Sequence, residues 1–256
     1  MKKKLLYLFS ALLVLTSCSN DETKEDDVVI TPKSQNLLKK SIETNGNGIV
    51  RTAIYTYEGN KIDKIIYDDG ATTVFTYTGD LITKTVQTEI HNGKAYSNTT
   101  TFAYEGNKLR SSLKVYSENR INTMQGIFSY DVEGKISATY IDIDPLTQKQ
   151  KLMTLSALTL DSNKNIVKAE MFTSPYNVSL MEYDTKNTPF KNIVGASLIF
   201  NSDVFGREVG LNNNKTKEIL RYGKDNEVTL IYSNIYNSDN YLITSDNGRK
   251  MLEYFY

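Results

Sequence analysis

From Leu37 onward apolar and polar residues alternate with a period of two, in short runs separated by clusters of Gly, Asn, Asp and Lys. That period places successive side chains on opposite faces of a strand, and the abundance of Tyr, Thr, Ile and Val suits a pleated, half-buried surface. One unit recurs. Phe102-Ala103-Tyr104-Glu105-Gly106-Asn107-Lys108-Leu109 is echoed by Tyr55-Thr56-Tyr57-Glu58-Gly59-Asn60-Lys61-Ile62, by Phe75-Thr76-Tyr77-Thr78-Gly79-Asp80-Leu81, and by Phe128-Ser129-Tyr130-Asp131 ahead of Glu133-Gly134-Lys135-Ile136. Each unit reads as a hairpin turn. Two aromatic rings at i and i+2 leave one strand face, and glycine then supplies the positive φ of the turn. Leu158/Leu160, Met181/Tyr183, Leu220/Tyr222 and Tyr254/Tyr256 read as degenerate versions of the aromatic pair.

A second set of turns falls between these, at Asp68-Asp69-Gly70, His91-Asn92-Gly93, Ser117-Glu118-Asn119 and Pro145-Leu146-Thr147. Turns about every ten residues predict an up-and-down antiparallel meander, in which each strand pairs with its sequence neighbours. The array runs from 37 to 184. It is then interrupted by an irregular insertion at 187–214, where Pro189 disfavours a central strand and 192–205 reads as a short helix or a packed loop. Strand patterns resume at 217–222, 228–232, 241–245 and 250–256. The expectation is an all-β fold, a single meander domain over 37–256 curled into a barrel or half-barrel so that its edges are not left open.

The N-terminus has a different pattern. Met1-Lys2-Lys3-Lys4 precedes an apolar run, 5–15, that is too short to span a bilayer, and Thr16-Ser17-Cys18 follows. This predicts a signal peptide over 1–17. Leu15-Thr16-Ser17-Cys18 resembles the lipobox of bacterial lipoproteins, which implies cleavage between Ser17 and Cys18 and a diacylglycerol-bearing Cys18 as membrane anchor. Cys18 is the only cysteine, so an internal disulfide is ruled out. Residues 19–27 carry five acids against one Lys and no apolar side chain, so 18–36 is expected to be a solvated acidic tether. The acidic run also resembles the signal that sends Bacteroidetes-type lipoproteins to the external face of the outer membrane. Read as a plain spacer, it carries no address.

Charge excludes more than it suggests. Thirty basic residues balance thirty acidic ones, and lysines are interleaved with acids, so there is no basic stripe for nucleic acid. Removal of 1–17 leaves 27 bases against 30 acids. One histidine, His91, stands before Asn92-Gly93 at a hairpin tip, where nothing would hold it as a general base. One His and one Cys do not make a zinc site. Asp161-Ser162-Asn163-Lys164-Asn165 imitates half of a calcium loop, but Ile166 replaces the turn glycine and Phe172 the bidentate Glu, so it reads as a polar turn. Asp142-Ile143-Asp144 places two carboxylates on one strand face. No glycine-rich phosphate loop joins a strand to a helix. No catalytic residue, metal site or cofactor is therefore assigned. The remaining chemistry is aromatic: 18 Tyr, 9 Phe and no Trp. These rings serve as core and rim, or else some form an exposed platform for a glycan or peptide.

The aromatic-x-Tyr-acid-x-Gly-Asn-x-Ile unit resembles the YD-type repeats of Rhs proteins. The layout from lipobox to C-terminus is similar to Bacteroidetes lipoproteins of unknown function with a porin-like fold, whose Tyr-Asp-x-Lys-x-Asn-Pro-Phe element is matched by Tyr183, Asp184, Lys186, Pro189 and Phe190. Thr188 stands where the Asn is expected. The resemblance implies a lipid-anchored envelope protein of the outer membrane with a non-enzymatic binding or structural role. The alternative is a surface glycan hydrolase working through paired carboxylates. Lys- and Asn-rich strands argue against an apolar band, so porin-like is expected to describe shape only. The place most expected to carry function is 187–214, where the hairpin rhythm fails.

Overall fold

The computed structural model describes residues 36–117, 123–199, 202–205 and 212–256. The signal segment, Ser17, Cys18, the tether up to residue 35, and turn residues Glu118 and Asn119 lie outside them. Alternation becomes strand wherever it was read. β1 (Lys40–Asn45), β2 (Val50–Glu58), β3 (Lys61–Tyr67), β4 (Thr72–Thr78), β5 (Leu81–His91), β6 (Lys94–Glu105), β7 (Lys108–Tyr116), β8 (Thr123–Tyr130), β9 (Ile136–Ile143), β10 (Gln150–Leu160), β11 (Ile166–Met171) and β12 (Asn177–Tyr183) each pair antiparallel with the next. After the insertion come β13 (Lys215–Leu220), β14 (Val228–Ile231), β15 (Ser233–Tyr236), β16 (Leu242–Asp246) and β17 (Lys250–Phe255).

The seventeen strands form one sheet that curls until its ends meet. β1 pairs with β17 from Lys40 opposite Phe255 to Asn45 opposite Lys250, and with β2 on its other side. The ladder changes partner at one point. β14 pairs with β13 and β15 with β16, and Tyr232 between them donates its N–H to the Thr216 carbonyl at 3.0 Å. β14 and β15 are thus two halves of one bent strand. Closure answers the edge problem of a long meander, because almost every strand has a partner on both sides.

All the recurrent Gly turns lie at one end of the barrel, because strands alternate in direction. Gly59, Gly79 and Gly106 take the left-handed backbone there, with φ 62°, 56° and 56°. Just after each turn one extra residue enters the ladder: Thr56 faces Lys64 but Tyr57 faces Ile62, Thr76 faces Lys84 but Tyr77 faces Ile82, and Ala103 faces Ser111 but Tyr104 faces Leu109. These bulges at Asp63, Thr83 and Arg110 bend the strand and leave backbone groups unpaired. On the far side of the bulged strand pairing stops short as well, at Lys84 opposite Thr101 in β5–β6.

The tyrosines of the motif fill those gaps. Tyr104 donates its hydroxyl to the Ile82 carbonyl at 2.8 Å, Tyr130 to Leu109 at 3.1 Å, Tyr183 to Ile166 at 2.9 Å, Tyr57 to Leu38 at 2.6 Å and Tyr256 to Leu242 at 2.7 Å. Tyr77 accepts from the Ile62 N–H at 3.2 Å and donates to the Val194 carbonyl at 3.2 Å. The ring fills the core while the hydroxyl ties one hairpin to the next, so the motif needs Tyr at i+2 but accepts Phe at i. Leu220/Tyr222 is not a member of the set. β13 runs away from the turn end, and Tyr222 stands 51% exposed at the opposite end. Its place is taken by Tyr236, which bonds to the Asp184 carboxylate.

At the turn end Ile62, Ile82, Leu109 and Ile136 are buried, with Phe75, Phe102 and Phe128 above them. A closed wall of this many strands would leave a channel. The insertion fills it. Phe190, Ile193, Ala196, Ile199, Val204 and Phe205 pack on the inner wall, through a 3-10 turn at Ala196–Leu198 and a single helical turn, α1 (Ser202–Phe205). The Phe205 ring stacks on Phe75 at 5.7 Å and meets Phe190 at 5.1 Å. Gly195, at φ 77°, lets the plug touch the wall: a Cβ there would stand 2.9 Å from the Asp80 carbonyl oxygen.

Candidate functional site

On β2, β6, β7 and β9 the inner face changes character along its length. On β6, Phe102 and Thr100 are buried, Asn98 and Tyr96 are half-buried and Lys94 is exposed. β7 passes from buried Leu109 and Ser112 to half-buried Lys114 and Tyr116, and β9 from buried Ile136 and Ala138 to half-buried Tyr140 and Asp142. On β2, Arg51 is two residues beyond buried Ala53. Solvent therefore reaches the inner wall at the end opposite the plug. The barrel is a cup, sealed by apolar packing at the turn end and open at a polar mouth.

The mouth combines rings with charges. The Arg51 guanidinium lies 3.9 Å from the centre of the Tyr67 ring and 2.9 Å from the Asp69 carboxylate. Burial pushes the Tyr67 hydroxyl pKa up, against the opposing pull of Arg51. Lys94 Nζ is 5.4 Å from the Tyr96 ring, Lys114 Nζ is 5.2 Å from the Tyr116 ring, and Glu43 pairs with Lys250 at 3.0 Å. The β5–β6 hairpin extends the wall, since pairing of β4 ends at Thr88 and pairing of β7 at Asn98. Flat rings beside donors and acceptors of both signs can stack on an apolar sugar or peptide face while bonding its polar edge.

His91 is the last residue of β5, as its Asn-Gly neighbours predict. It stands 3.1 Å from Glu89, with its ring 5.9 Å from that of Tyr96. Asp142 and Asp144 part company: Asp142 faces inward on β9, whereas Asp144 lies past the strand end and accepts the Leu146 and Thr147 N–H groups at 2.9 and 3.1 Å. These backbone bonds hold the Asp144 carboxyl below its usual pKa. The 161–165 segment is a turn that does more than reverse the chain. Buried Asn165 bonds Asp161 and Asn213 through its amide nitrogen, and its carbonyl takes the Asn212 and Asn213 N–H groups. Asp184 accepts the Asn214 N–H at 3.1 Å, so the two ends of the insertion are stitched together. Beside this seam lies a shallow polar recess of about 390 Å³, lined by Asn163, Thr185, Lys191, Asn212 and Asn213.

The insertion is thus a plug with a stitched base, and the richest polar surface lies at the other end. Sequence reasoning missed the mouth because its residues sit two and four positions beyond core residues on unbroken strands, with no motif to mark them. Among the described residues, no three His, Cys, Asp or Glu side chains gather as a metal site would need.

No family model and no curated protein matches the chain. Solved structures similar to it include two porin-like proteins. A porin-like protein from Bacteroides uniformis shares 12% identity over 85% of this chain and 97% of that one, with a TM-score of 0.48. A porin-like protein from Bacteroides vulgatus shares 13% over 86% and 98%, also with a TM-score of 0.48.

Proposed function

We propose that this is a lipid-anchored envelope protein whose cup binds a polar ligand, a glycan or a peptide, without chemical turnover. The observation that carries the reading is the division of one inner wall into a sealed apolar half and a solvent-reached half. In the open half Arg51 and Tyr67 stand on the adjacent strands β2 and β3, and Tyr96, Lys114 and Tyr116 on the adjacent strands β6 and β7. A rigid barrel holds such side chains in place, which lowers the ordering cost of binding. Apolar packing of the plug on the inner wall at the turn end supports a receptacle over a through-channel. The run Leu15-Thr16-Ser17-Cys18 supports attachment to the membrane through a lipid on Cys18, and the acidic stretch behind it supports the outer membrane's external face as the address.

The test is binding of the mature chain to panels of immobilised oligosaccharides and short peptides, read by interferometry. Arg51→Ala and Tyr96→Ala should each weaken the bound class at least tenfold, about 1.4 kcal/mol, whereas Lys191→Ala in the recess should not. Binding lost only in the Lys191 variant, no binding to either panel, or release of cleaved product from the same oligosaccharides would overturn the reading. For the anchor, mass spectrometry of the native N-terminus should find a diacylated Cys18, and Cys18→Ala should release unmodified protein.

A further inference from the structure

Asparagine followed by glycine occurs four times, at Asn45-Gly46, Asn47-Gly48, Asn92-Gly93 and Asn247-Gly248, always in a turn at the mouth end. The pair is chemically special because glycine has no side chain to keep its nitrogen away from the preceding amide carbon. When that nitrogen loses its proton it can attack the asparagine Cγ, and a five-membered succinimide closes as ammonia leaves. Water then opens the ring at either carbonyl. One product is aspartate, the other isoaspartate, whose backbone runs through the former side chain, and both carry a new carboxylate. The reaction needs a free glycine N–H and an asparagine side chain that can turn back onto it.

Three of the four pairs are held. Asn45 Oδ1 accepts the Asn47 and Ile49 N–H groups, both at 3.0 Å. The Gly48 N–H that follows Asn47 donates to the Asn45 carbonyl at 2.9 Å. Asn247 Oδ1 accepts from Arg249 and Lys250, both at 3.0 Å, while the Gly248 N–H donates to the Asp246 carboxylate at 2.8 Å. At the fourth pair, no hydrogen bond within the described residues holds the Asn92 side chain or the Gly93 N–H. Both are exposed in the two-residue loop that joins β5 to β6, with φ 50° and 73°. The support beneath them is thin as well. Pairing with β4 ends at Thr88 and pairing with β7 at Asn98, so the last rungs, from Glu89 opposite Tyr96 to His91 opposite Lys94, belong to a two-stranded ribbon. Such a ribbon opens more easily than the closed wall. We propose that Asn92 is a site of spontaneous, one-way modification, selected by the folded barrel from the four Asn-Gly pairs. The new carboxylate stands beside Glu89 and His91, which are 3.1 Å apart, at the edge of the wall that carries Lys94 and Tyr96. Isoaspartate also adds a backbone carbon to the loop, which then no longer keeps His91 opposite Lys94. With age the mouth edge gains negative charge and loses its register, whatever the cup holds.

Peptide mapping by mass spectrometry of the mature chain, aged in mildly alkaline buffer, tests this independently of any ligand. In the folded protein Asn92 should gain the mass of an amide NH2 replaced by OH at least about tenfold faster than Asn45, Asn47 or Asn247, because a hydrogen bond that must open first slows each of those by about that factor. In guanidinium chloride, where the bonds are gone, all four should react at similar rates. Asn92→Gln, which could close only the slower six-membered ring, should abolish the fast phase while leaving the circular dichroism spectrum intact. An Asn92 rate no greater than the other three in the folded protein, the same ranking after unfolding, or a fast phase that survives Asn92→Gln would overturn the proposal.

Discussion

Replacing Tyr104 by Phe isolates the role of the repeated hydroxyl. The ring that packs against the core remains, and only Oη, which donates to the Ile82 carbonyl at 2.8 Å, is removed. That carbonyl belongs to a residue with no exposed surface, and the β5–β6 ladder has already ended at Lys84 opposite Thr101. The substitution forfeits a net hydrogen bond, about 1 kcal/mol, and strands an acceptor beside apolar neighbours, so a total of about 1–2 kcal/mol is expected. Urea unfolding followed by circular dichroism measures it as a lower midpoint at unchanged slope. Tyr130→Phe, which frees the Leu109 carbonyl on the next hairpin, should cost a similar amount, and because Leu109 is the cross-strand partner of Tyr104 the double variant should depart from the simple sum. Tyr222→Phe, exposed at the other end, should change stability by less than about 0.5 kcal/mol. A Tyr104→Phe effect no larger than that of Tyr222→Phe would refute the idea that hydroxyl ties hold the hairpins together.

Other consequences concern pH, the plug and the core. Burial raises the pKa of the tying tyrosines, with Tyr77 pushed up to about 12 and Tyr104 and Tyr183 also moved upward. A raised phenol pKa means that the folded state keeps protons that the unfolded state loses. The associated stability is complete below the unfolded value of about 10 and disappears as pH rises through the folded values. The tyrosinate absorbance of the tying residues, isolated as the difference between the protein and its Tyr77→Phe, Tyr104→Phe and Tyr183→Phe variants, should therefore appear together with loss of the β-sheet signal above about pH 10; early ionisation of these residues with the sheet intact would contradict this. Gly195→Ala should cost about 2 kcal/mol or more, from its left-handed backbone and the approach to Asp80, and should speed proteolysis within the plug. Thr85 is 1% exposed and its Oγ1 has no partner among the described residues, so Thr85→Val should raise stability by about 1 kcal/mol in the same urea assay.

The meander was legible because its signals are local. Period-two alternation, Gly-Asn turns and aromatic pairs are all written within a few residues of one another, and they led to the all-β fold and to most strands. Closure was legible only as a need, since the β1–β17 pairing joins distant stretches that share no pattern. The function of the i+2 tyrosine was hidden for a related reason: its acceptor lies about twenty residues back, on a carbonyl freed by a bulge that alternation does not reveal. The 187–214 segment was singled out as irregular, but its buried Ile193, Ala196 and Ile199 make it part of the core. Composition does not record which face a side chain takes. Lys114 and Lys217 look alike in sequence, yet one faces the mouth and the other solvent.

One inner wall is sealed at the turn end and open at the other, and thiol accessibility distinguishes the two halves. Cys18 is the only cysteine, so Cys18→Ser leaves a background with none. Into it Asn98→Cys and Thr100→Cys are introduced separately, on the same inward face of β6, half-buried and 3% exposed respectively. Labelling of the folded protein with a bulky charged thiol reagent should modify Asn98→Cys rapidly and spare Thr100→Cys until urea unfolds the barrel. Equal protection of both positions would mean that there is no open mouth, and equal reactivity would mean that the plug does not seal the cup.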